Sequence, residues 1–161
     1  MLVGIGYDLH RLVPGRPLMI GGVAIPAAWG EEGYSDGDVL IHAIIDAILG
    51  AAGLGDIGTH FPSSDPKYKG LSSRVMLTNI VSLIRNAGYS VVNLDSTVIL
   101  QAPKILPFIE NIRQTLSQDL DLPYSRVSVK GKTKENVDAV GEGRAIEAFA
   151  VVLLESGRNE S

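Results

Sequence analysis

Two histidines and an aspartate in the first third of the chain are the residues best suited to chemistry. Asp8 and His10 lie in an alternating segment, where a strand would place both side chains on one face. His42 lies among residues 39–49, which are apolar except for His42 itself and Asp46. A buried imidazole needs a polar partner, and a cation shared with Asp8 and His10 would supply one. The three side chains therefore form a candidate metal site.

The metal that best suits this site is zinc. Two imidazoles and one carboxylate leave a fourth position open for water or a substrate oxygen, as in catalytic zinc sites. Asp46 lies one helical turn beyond His42 and would orient a loop or an imidazole, or else cap a helix end. Asp8-x-His10 alone is a weak signal, because two polar residues on one strand face are commonly a solvated edge.

A second candidate site is the charged segment Lys130-Gly-Lys132-Thr133-Lys134-Glu135. Its cations, hydroxyl and loop N–H groups suit a phosphate, and Glu135 would coordinate a divalent ion such as Mg²⁺. The alternative is an ordinary solvated loop.

Other motifs are better explained by structure than by chemistry. Asp36 and Asp38 predict a turn and a helix N-cap, with Ser35-x-x-Asp38 forming a capping box. Gly4-x-Gly6 lacks the third glycine of a dinucleotide fingerprint and predicts close backbone packing instead. His60 lies in a loop rich in proline and glycine, and we expect it to be exposed rather than bound to metal.

The composition limits the classes of partner. The net charge of −4 over 161 residues argues against a general nucleic-acid binder, which usually carries a basic stripe. The absence of cysteine excludes disulfides, thiolate metal sites and cysteine nucleophiles, and it favours a cytoplasmic location. We also expect no targeting segment and no membrane partner, because no apolar run reaches membrane-spanning length.

The elements that must position these residues follow from periodicity and turn signals. Strands are predicted over residues 1–10, 91–100, 127–130 and 145–154, with a hairpin over 18–25. Helices are predicted from 39 to about 50, over 72–87 and up to about 122, and exposed loops over 29–38 and 56–70.

Strands and helices interleave without a strict βαβ rhythm, which predicts an α+β fold with a mixed sheet covered by helices. We expect a single catalytic domain over residues 1–154, followed by a polar C-terminal tail over 155–161.

Taken together, the motifs resemble one enzyme family, the 2-C-methyl-D-erythritol 2,4-cyclodiphosphate synthases of non-mevalonate isoprenoid biosynthesis. The matching stretches run from about residue 3 to 154, and jointly they are specific. In order they are Gly4-x-Gly6-Tyr7-Asp8-x-His10, Ile20-Gly-Gly-Val23, Ser35-Asp-Gly-Asp-Val39 with His42, Asp46-Ala-x-Leu-Gly-Ala51, Gly55-Asp-Ile-Gly58, Asp65-Pro66, Gln101-Ala-Pro-Lys104 and Lys132-Thr133-x-Glu135.

The resemblance implies an α/β sandwich that assembles as a homotrimer, with active sites between subunits. It implies a metal-dependent phosphorus-oxygen lyase acting on 4-diphosphocytidyl-2-C-methyl-D-erythritol 2-phosphate. The substrate's 2-phosphate attacks its β-phosphorus, CMP leaves and a cyclic diphosphate forms. Such a reaction needs positioning and charge neutralisation rather than a protein nucleophile.

The resemblance also assigns roles to residues of this chain. Asp8, His10 and His42 would hold Zn²⁺, and Glu135 would hold Mg²⁺ or Mn²⁺ between the α- and β-phosphates. Thr133 and Tyr34 would be catalytic. Substrate contacts are implied for Asp8, His10, Tyr34, Ser35, Lys132, Thr133, Lys134 and Glu135. The methylerythritol part would be contacted by Asp56, Ile57, Gly58, Phe61, Pro62, Ser63, Ser64 and Asp65. Cytosine would be enclosed, from a neighbouring subunit, by Leu100, Gln101, Ala102, Pro103, Lys104, Ile105 and Leu106.

Three departures from the family pattern bear on how far these residue roles apply to this chain. Tyr34 stands where the family usually has histidine, and Ser63 stands where aspartate is common. The segment after Glu135 is about two residues shorter than in many members, and Val140 replaces a frequent arginine at the trimer axis.

Two alternatives remain open from the sequence. A zinc phosphohydrolase would direct water, rather than the substrate's own phosphate, at phosphorus. A trimeric binding protein would hold nucleotide or isoprenoid phosphate without turnover, and Tyr34 in place of histidine keeps this alternative open.

Overall fold

The computed structural model describes residues 1–157. The strands are β1 (Leu2–Pro14), β2 (Leu18–Ile20), β3 (Val23–Ile25), β4 (Trp29–Glu31), β5 (Tyr89–Ile99), β6 (Val127–Lys132) and β7 (Ala145–Ser156). The helices are α1 (Val39–Ala52), α2 (Ile57–His60), α3 (Ser73–Asn86), α4 (Ile109–Leu120) and α5 (Asp138–Gly141). None of the helices in the described part is long and apolar enough to span a bilayer.

Five strands form one sheet in the order β4-β1-β7-β5-β6. β5 and β6 are parallel, whereas the other neighbouring pairs are antiparallel. β2 and β3 form the separate hairpin predicted from the glycine pair at its turn. The predicted α+β architecture with a mixed sheet is therefore confirmed.

Helix α1 packs along β1 at very short range, and two glycines make this contact feasible. A Cβ atom on Gly4 would lie 1.9 Å from the carbonyl oxygen of Ala47, and one on Gly6 would lie 1.8 Å from that of Ala43. The close packing predicted from Gly4-x-Gly6 is confirmed. It holds the strand that carries Asp8 and His10 directly against the helix that carries His42.

Helix α1 is buried almost all round, as its apolar composition predicts. It packs on β1 and β7 of the sheet and against α3 on its outer side. His42 and Asp46 are the polar residues of this helix, so both must find partners within the protein.

The start of helix α1 differs from the predicted capping box. Asp38 is the N-cap, and its Oδ1 accepts from the backbone N–H of Ile41 at 3.0 Å. Its carboxylate also accepts from the N–H groups of Gly21, at 3.0 Å, and Gly22, at 2.6 Å. Ser35 does not cap the helix, because its hydroxyl turns toward His42 instead.

The prediction of an exposed loop over residues 29–38 is wrong at both ends, and at its C-terminal end Ser35 and Asp38 are buried. Trp29–Glu31 forms the edge strand β4, and Glu31 is completely buried. Glu31 Oε1 accepts from the N–H of Val39 at 3.1 Å, whereas Oε2 is buried without a partner in the described structure. Burial, reinforced by the nearby Asp38 carboxylate, raises the pKa of Glu31 well above its usual value.

The short helix α5 was not predicted, and the other elements follow the predictions apart from their ends. β1 continues four residues beyond the predicted end at residue 10, and β7 extends two residues into the predicted tail. Residues 158–161 of that tail lie outside the described structure. The loop over 56–70 contains α2 and a short 3-10 turn at Pro66–Tyr68.

Substituting Gly6→Ala should destabilise the fold severely. The added methyl group would meet a backbone oxygen that cannot move without displacing α1, and overpacking of this kind costs about 1–3 kcal/mol or more. Gly50→Ala is the matched control, because a Cβ there meets nothing within 4 Å. It should leave the fold intact or stabilise it by about 0.5–1 kcal/mol. Urea unfolding at fixed protein concentration measures both, and equal midpoints would contradict the proposed tight contact.

Substituting Glu31→Gln should stabilise the protein at alkaline pH but not at acid pH. The pKa of this carboxyl group is higher in the folded protein than its unfolded value of about 4.3. The group therefore lowers the stability of the folded protein as the pH rises from the unfolded pKa to the folded pKa. Glutamine keeps an oxygen for the N–H of Val39 and never ionises. The variant's advantage in melting temperature should therefore grow from pH 5 to pH 8. A constant difference across this range would refute the titration of Glu31.

Candidate metal and substrate site

The structure brings Asp8, His10 and His42 together, as the sequence predicts. Asp8 and His10 project from the same face of β1, and His42 projects from α1. Asp8 Oδ2 lies 2.9 Å from His10 Nε2 and 3.1 Å from His42 Nδ1. One ligand atom from each residue lies within 4.8 Å of the other two. This is the separation expected of three donors that share one cation.

The charges of this group are strongly coupled. Burial opposes ionisation of Asp8, but hydrogen bonds from His10 and His42 outweigh it and hold the pKa of Asp8 below its ordinary value. Burial likewise disfavours a charged His10, but the hydrogen bond to Asp8 outweighs it and raises the pKa of His10. A negative carboxylate lies between two imidazoles in this group. A divalent cation bound there would replace the imidazole protons that face the carboxylate.

The orientation of the two imidazole rings also suits zinc binding. His10 Nδ1 lies 2.6 Å from the carbonyl oxygen of Gly37. A carbonyl only accepts, so Nδ1 carries the proton and Nε2, which faces Asp8, is free to bind metal. His42 turns Nδ1 to Asp8 and places Nε2 near two serine hydroxyls.

Asp46 orients a loop, which was one of its two predicted roles. Its Oδ1 accepts from the N–H of Ile57 at 2.8 Å, so the start of α2 is held against α1. Asp56 caps the same short helix by accepting from the N–H of Thr59 at 2.8 Å. The other predicted role, capping a helix end, is met at the start of α2 rather than in Asp46's own helix, whose C-cap is Gly53.

A cavity of about 250 Å³ opens beside the three candidate ligands. Its lining comprises Asp8, His10, Gly33, Tyr34, Ser35, His42, Ile57, Gly58, Phe61, Ser63, Tyr68 and Met76. Most of these residues were predicted, but Gly33, Tyr68 and Met76 were missed. The signal for Tyr68 was its place in the long loop with Phe61, which its ring contacts edge-on at 5.3 Å.

Other predicted residues of this loop surround the cavity without lining it. Asp65 is one of them, and its carbonyl oxygen lies 3.4 Å from the hydroxyl of the lining residue Tyr34. The carboxylate of Asp65 pairs with Lys67 at 2.9 Å. Pro62 and Ser64 belong to the same loop but contribute no side chain to the wall.

A second cavity, of about 220 Å³, lies at the ends of β5 and β6. It is lined by Leu100, Gln101, Pro103, Lys104, Ile105, Leu106, Ile109, Gly131, Lys132 and Thr133. Ala102 lies in the same segment, whereas Ile109 and Gly131 were not predicted. A Cβ on Gly131 would lie 2.7 Å from Ile105, so glycine allows this segment to approach β6.

The charged segment after β6 is more ordered than a solvated loop. Thr133 donates its hydroxyl to Glu135 Oε1 at 2.7 Å, and Gln101 Oε1 accepts from the N–H of Lys134 at 3.3 Å. The ammonium group of Lys134 pairs with Glu147 and, at 3.7 Å, with Asp138.

The cations of this segment are therefore not equivalent. Lys130 pairs with Asp95 at 2.6 Å, whereas Lys132 has no ion pair within residues 1–157 and is one of the residues that line the second cavity. Glu135 lies outside the Asp8, His10 and His42 group, so any ion that it holds is a separate one.

His60 is not a ligand of the candidate metal site, as predicted. Its Nε2 lies 2.9 Å from the carbonyl oxygen of Leu54. The side chain is half-buried rather than exposed, because this hydrogen bond draws it onto the end of α1.

Comparison with known proteins identifies the family. The model of the YgbB family matches residues 1–155. A 2-C-methyl-D-erythritol 2,4-cyclodiphosphate synthase from Burkholderia mallei is 53% identical over 152 residues, which are 94% of each chain.

Solved structures agree with this assignment. The bifunctional IspDF of Campylobacter jejuni superposes with a TM-score of 0.93 at 37% identity, over 96% of this chain and 42% of that one. A CDP complex of IspF from Plasmodium falciparum superposes with a TM-score of 0.85 at 39% identity, over 98% and 97% of the two chains. The resemblance predicted from the motifs is confirmed, and the chain belongs to the YgbB family.

Proposed function

We infer that the protein converts 4-diphosphocytidyl-2-C-methyl-D-erythritol 2-phosphate into 2-C-methyl-D-erythritol 2,4-cyclodiphosphate and CMP. The observation that carries this inference is the convergence of Asp8, His10 and His42 beside a cavity, in a chain whose relatives bear that enzyme's name. The activity is that of a metal-dependent phosphorus-oxygen lyase in isoprenoid precursor biosynthesis, and we expect it to take place in the cytoplasm.

The residues of this chain would act by positioning and by charge neutralisation. Asp8, His10 and His42 would hold Zn²⁺, and Glu135 would hold Mg²⁺ or Mn²⁺. These ions supply Lewis acidity that withdraws negative charge from phosphate oxygens. Lys132 adds an unpaired cation, and the net charge of −4 makes such local neutralisation necessary.

The reaction then needs no protein nucleophile. An oxygen of the substrate's 2-phosphate forms a bond to the β-phosphorus, and the bond from that phosphorus to the bridging oxygen breaks as CMP leaves. Both reacting groups belong to one substrate molecule, so the attack is intramolecular, and the protein would contribute by holding them in the orientation for it. The hydroxyl of Thr133 would stabilise the pentavalent phosphorus.

The contacts to the rest of the substrate divide between the two cavities. The cavity beside the metal ligands would receive the methylerythritol part, with Ser63 in place of an aspartate and the Tyr34 phenol in place of an imidazole. The cavity at the ends of β5 and β6 would enclose cytosine, since its wall is mainly apolar and offers backbone groups.

A homotrimer is supported by the face of the sheet that no helix covers. Apolar side chains that alternate along β1 and β7 are exposed there by between 39% and 71%; they are Val3, Ile5, Tyr7, Leu9, Phe149 and Val151. A contiguous apolar face of this kind marks a protein interface. We propose that it packs against two further copies and that each active site lies between neighbours.

Product analysis tests the proposed activity. Incubation with the full substrate at saturating zinc and magnesium should release CMP together with a cyclic diphosphate. A linear diphosphate or inorganic phosphate would indicate the phosphohydrolase instead. Bound CDP with no CMP formation would indicate a binding protein, and either of these two results would refute cyclisation.

Substituting His42→Ala should abolish activity and reduce zinc from one equivalent per chain to nearly none, because it removes one of three protein ligands. His60→Ala is the matched control, since this histidine lies outside the metal group. Metal analysis after gel filtration measures both variants. Stoichiometric zinc in the His42 variant would contradict the ligand assignment.

Substituting Ile5→Lys should convert the trimer into monomers. Ile5 is 71% exposed in the single chain, and a lysine there would carry charge into the proposed apolar interface. Val75→Lys is the control, because Val75 is an exposed apolar residue on helix α3 rather than on the sheet. Sedimentation velocity should give a monomer only for the first variant. A trimer that survives it would place the interface elsewhere.

A further inference from the structure

We propose that Asp36 and Ser73 are positioning residues that fix the tautomer of His42 and thereby select the nitrogen that it offers to metal. The proposal rests on the metal site of the proposed function and adds two residues that neither touch the metal nor line the cavity.

A chain of hydrogen bonds leads away from the metal side of His42. Its Nδ1 faces Asp8 Oδ2 at 3.1 Å, whereas its Nε2 lies 2.9 Å from Ser73 Oγ. Ser73 Oγ in turn donates to Asp36 Oδ1, and the backbone N–H of Ser73 donates to Asp36 Oδ2 at 2.9 Å. The chain of hydrogen bonds thus runs from the Asp36 carboxylate through the Ser73 hydroxyl to the His42 imidazole, which faces the candidate metal position.

Counting protons along this chain determines the state of His42. An ionised carboxylate only accepts hydrogen bonds, so the single proton of the Ser73 hydroxyl points to Asp36. Ser73 Oγ then has only lone pairs left for the imidazole, and His42 Nε2 must carry a proton in order to bond to it. The remaining nitrogen, Nδ1, faces Asp8 and is the one that would offer its lone pair to a metal ion that replaces its proton.

Burial shields the middle member of this chain, the Ser73 hydroxyl, from solvent. Ser73 is completely buried, and it is the first residue of α3, where the backbone N–H has no partner inside the helix. Asp36 supplies that partner, because the N-cap residue Ser72 makes no side-chain hydrogen bond. The carboxylate that orients the hydroxyl is thus held by the helix terminus itself.

Ser35 is a weaker second partner of the same nitrogen. Its Oγ lies 3.1 Å from His42 Nε2 and already accepts from the N–H of Gly37 at 3.2 Å. No carboxylate fixes the direction of its proton in the described structure, so it does not dictate the tautomer as Ser73 does.

The two imidazoles are therefore oriented by different means toward one cation. The carbonyl oxygen of Gly37 holds His10 so that Nε2 is free, and the Asp36–Ser73 pair holds His42 so that Nδ1 is free. Partners of this type typically change metal affinity about 10-fold to 100-fold when removed.

The first test needs no substitution. Long-range ¹H–¹⁵N spectra of the zinc-loaded protein should show His42 protonated at Nε2 and metal-bound at Nδ1, with the reverse pattern for His10. His42 bound through Nε2 would overturn the proposal. Absence of zinc from the unmodified protein would instead refute the metal site of the proposed function, so the two failures are distinguishable.

The second test uses Ser73→Ala, Asp36→Asn and Ser72→Ala, with zinc affinity measured by competition with a chromophoric chelator. The first two should weaken zinc binding about 10-fold to 100-fold. Ser72→Ala, the same change at the neighbouring residue, should not alter zinc affinity, because Ser72 makes no side-chain cap hydrogen bond.

Asp36→Asn separates orientation from simple loss of packing, since it preserves shape. If its amide N–H₂ faces Ser73 Oγ, the hydroxyl proton turns to His42 and Nε2 must accept it, which leaves Nδ1 protonated. If its oxygen faces Ser73 Oγ, the amide opposes the N–H of Ser73. Either way zinc affinity should fall and the His42 ¹⁵N signals should shift. A folded Asp36→Asn protein with unchanged affinity and signals would overturn the proposal.

Discussion

The close contact between β1 and α1 is the constraint on which the rest of the structure depends. Glycines at positions 4 and 6 let the strand approach the backbone of the helix at Ala43 and Ala47. A single extra methyl group on either glycine would separate the two elements. With them in contact, His42 on the buried helix reaches Asp8 and His10 on the strand, and a polar group inside an apolar layer gains its partners.

The same layer carries an electrostatic cost at the start of α1. Glu31 and Asp38 are both buried there, and burial raises the pKa of Asp38 to about 6. Their oxygens accept from the helix N-terminus, which favours negative charge, and from the hairpin turn at Gly21 and Gly22. Gly37, whose carbonyl oxygen lies 2.6 Å from His10 Nδ1, directly precedes Asp38, so these buried carboxylates border the candidate metal site.

Periodicity in the sequence was sufficient for the sheet, the long helices and the three candidate ligands, because these depend on local patterns and one buried histidine. It failed where partners are distant in sequence. Ser35-x-x-Asp38 satisfied the pattern of a capping box, but competition from His42 draws the Ser35 hydroxyl away. Ser73 carried no signal, since its role arises only when α3 places its first residue against α1, 31 positions from His42.

The buried Glu147 links the candidate phosphate-binding segment to β1, the strand that carries two of the candidate metal ligands. It lies beside Leu9 on the uncovered face of the sheet, where it accepts from the Tyr7 hydroxyl at 3.0 Å and pairs with Lys134. Tyr7 and Asp8 point to opposite faces of β1. The segment with Thr133 and Glu135 is therefore tied to the apolar face, whereas the metal ligands face the helices. In the trimer proposed above, a segment fixed at that face would meet a second copy of the chain.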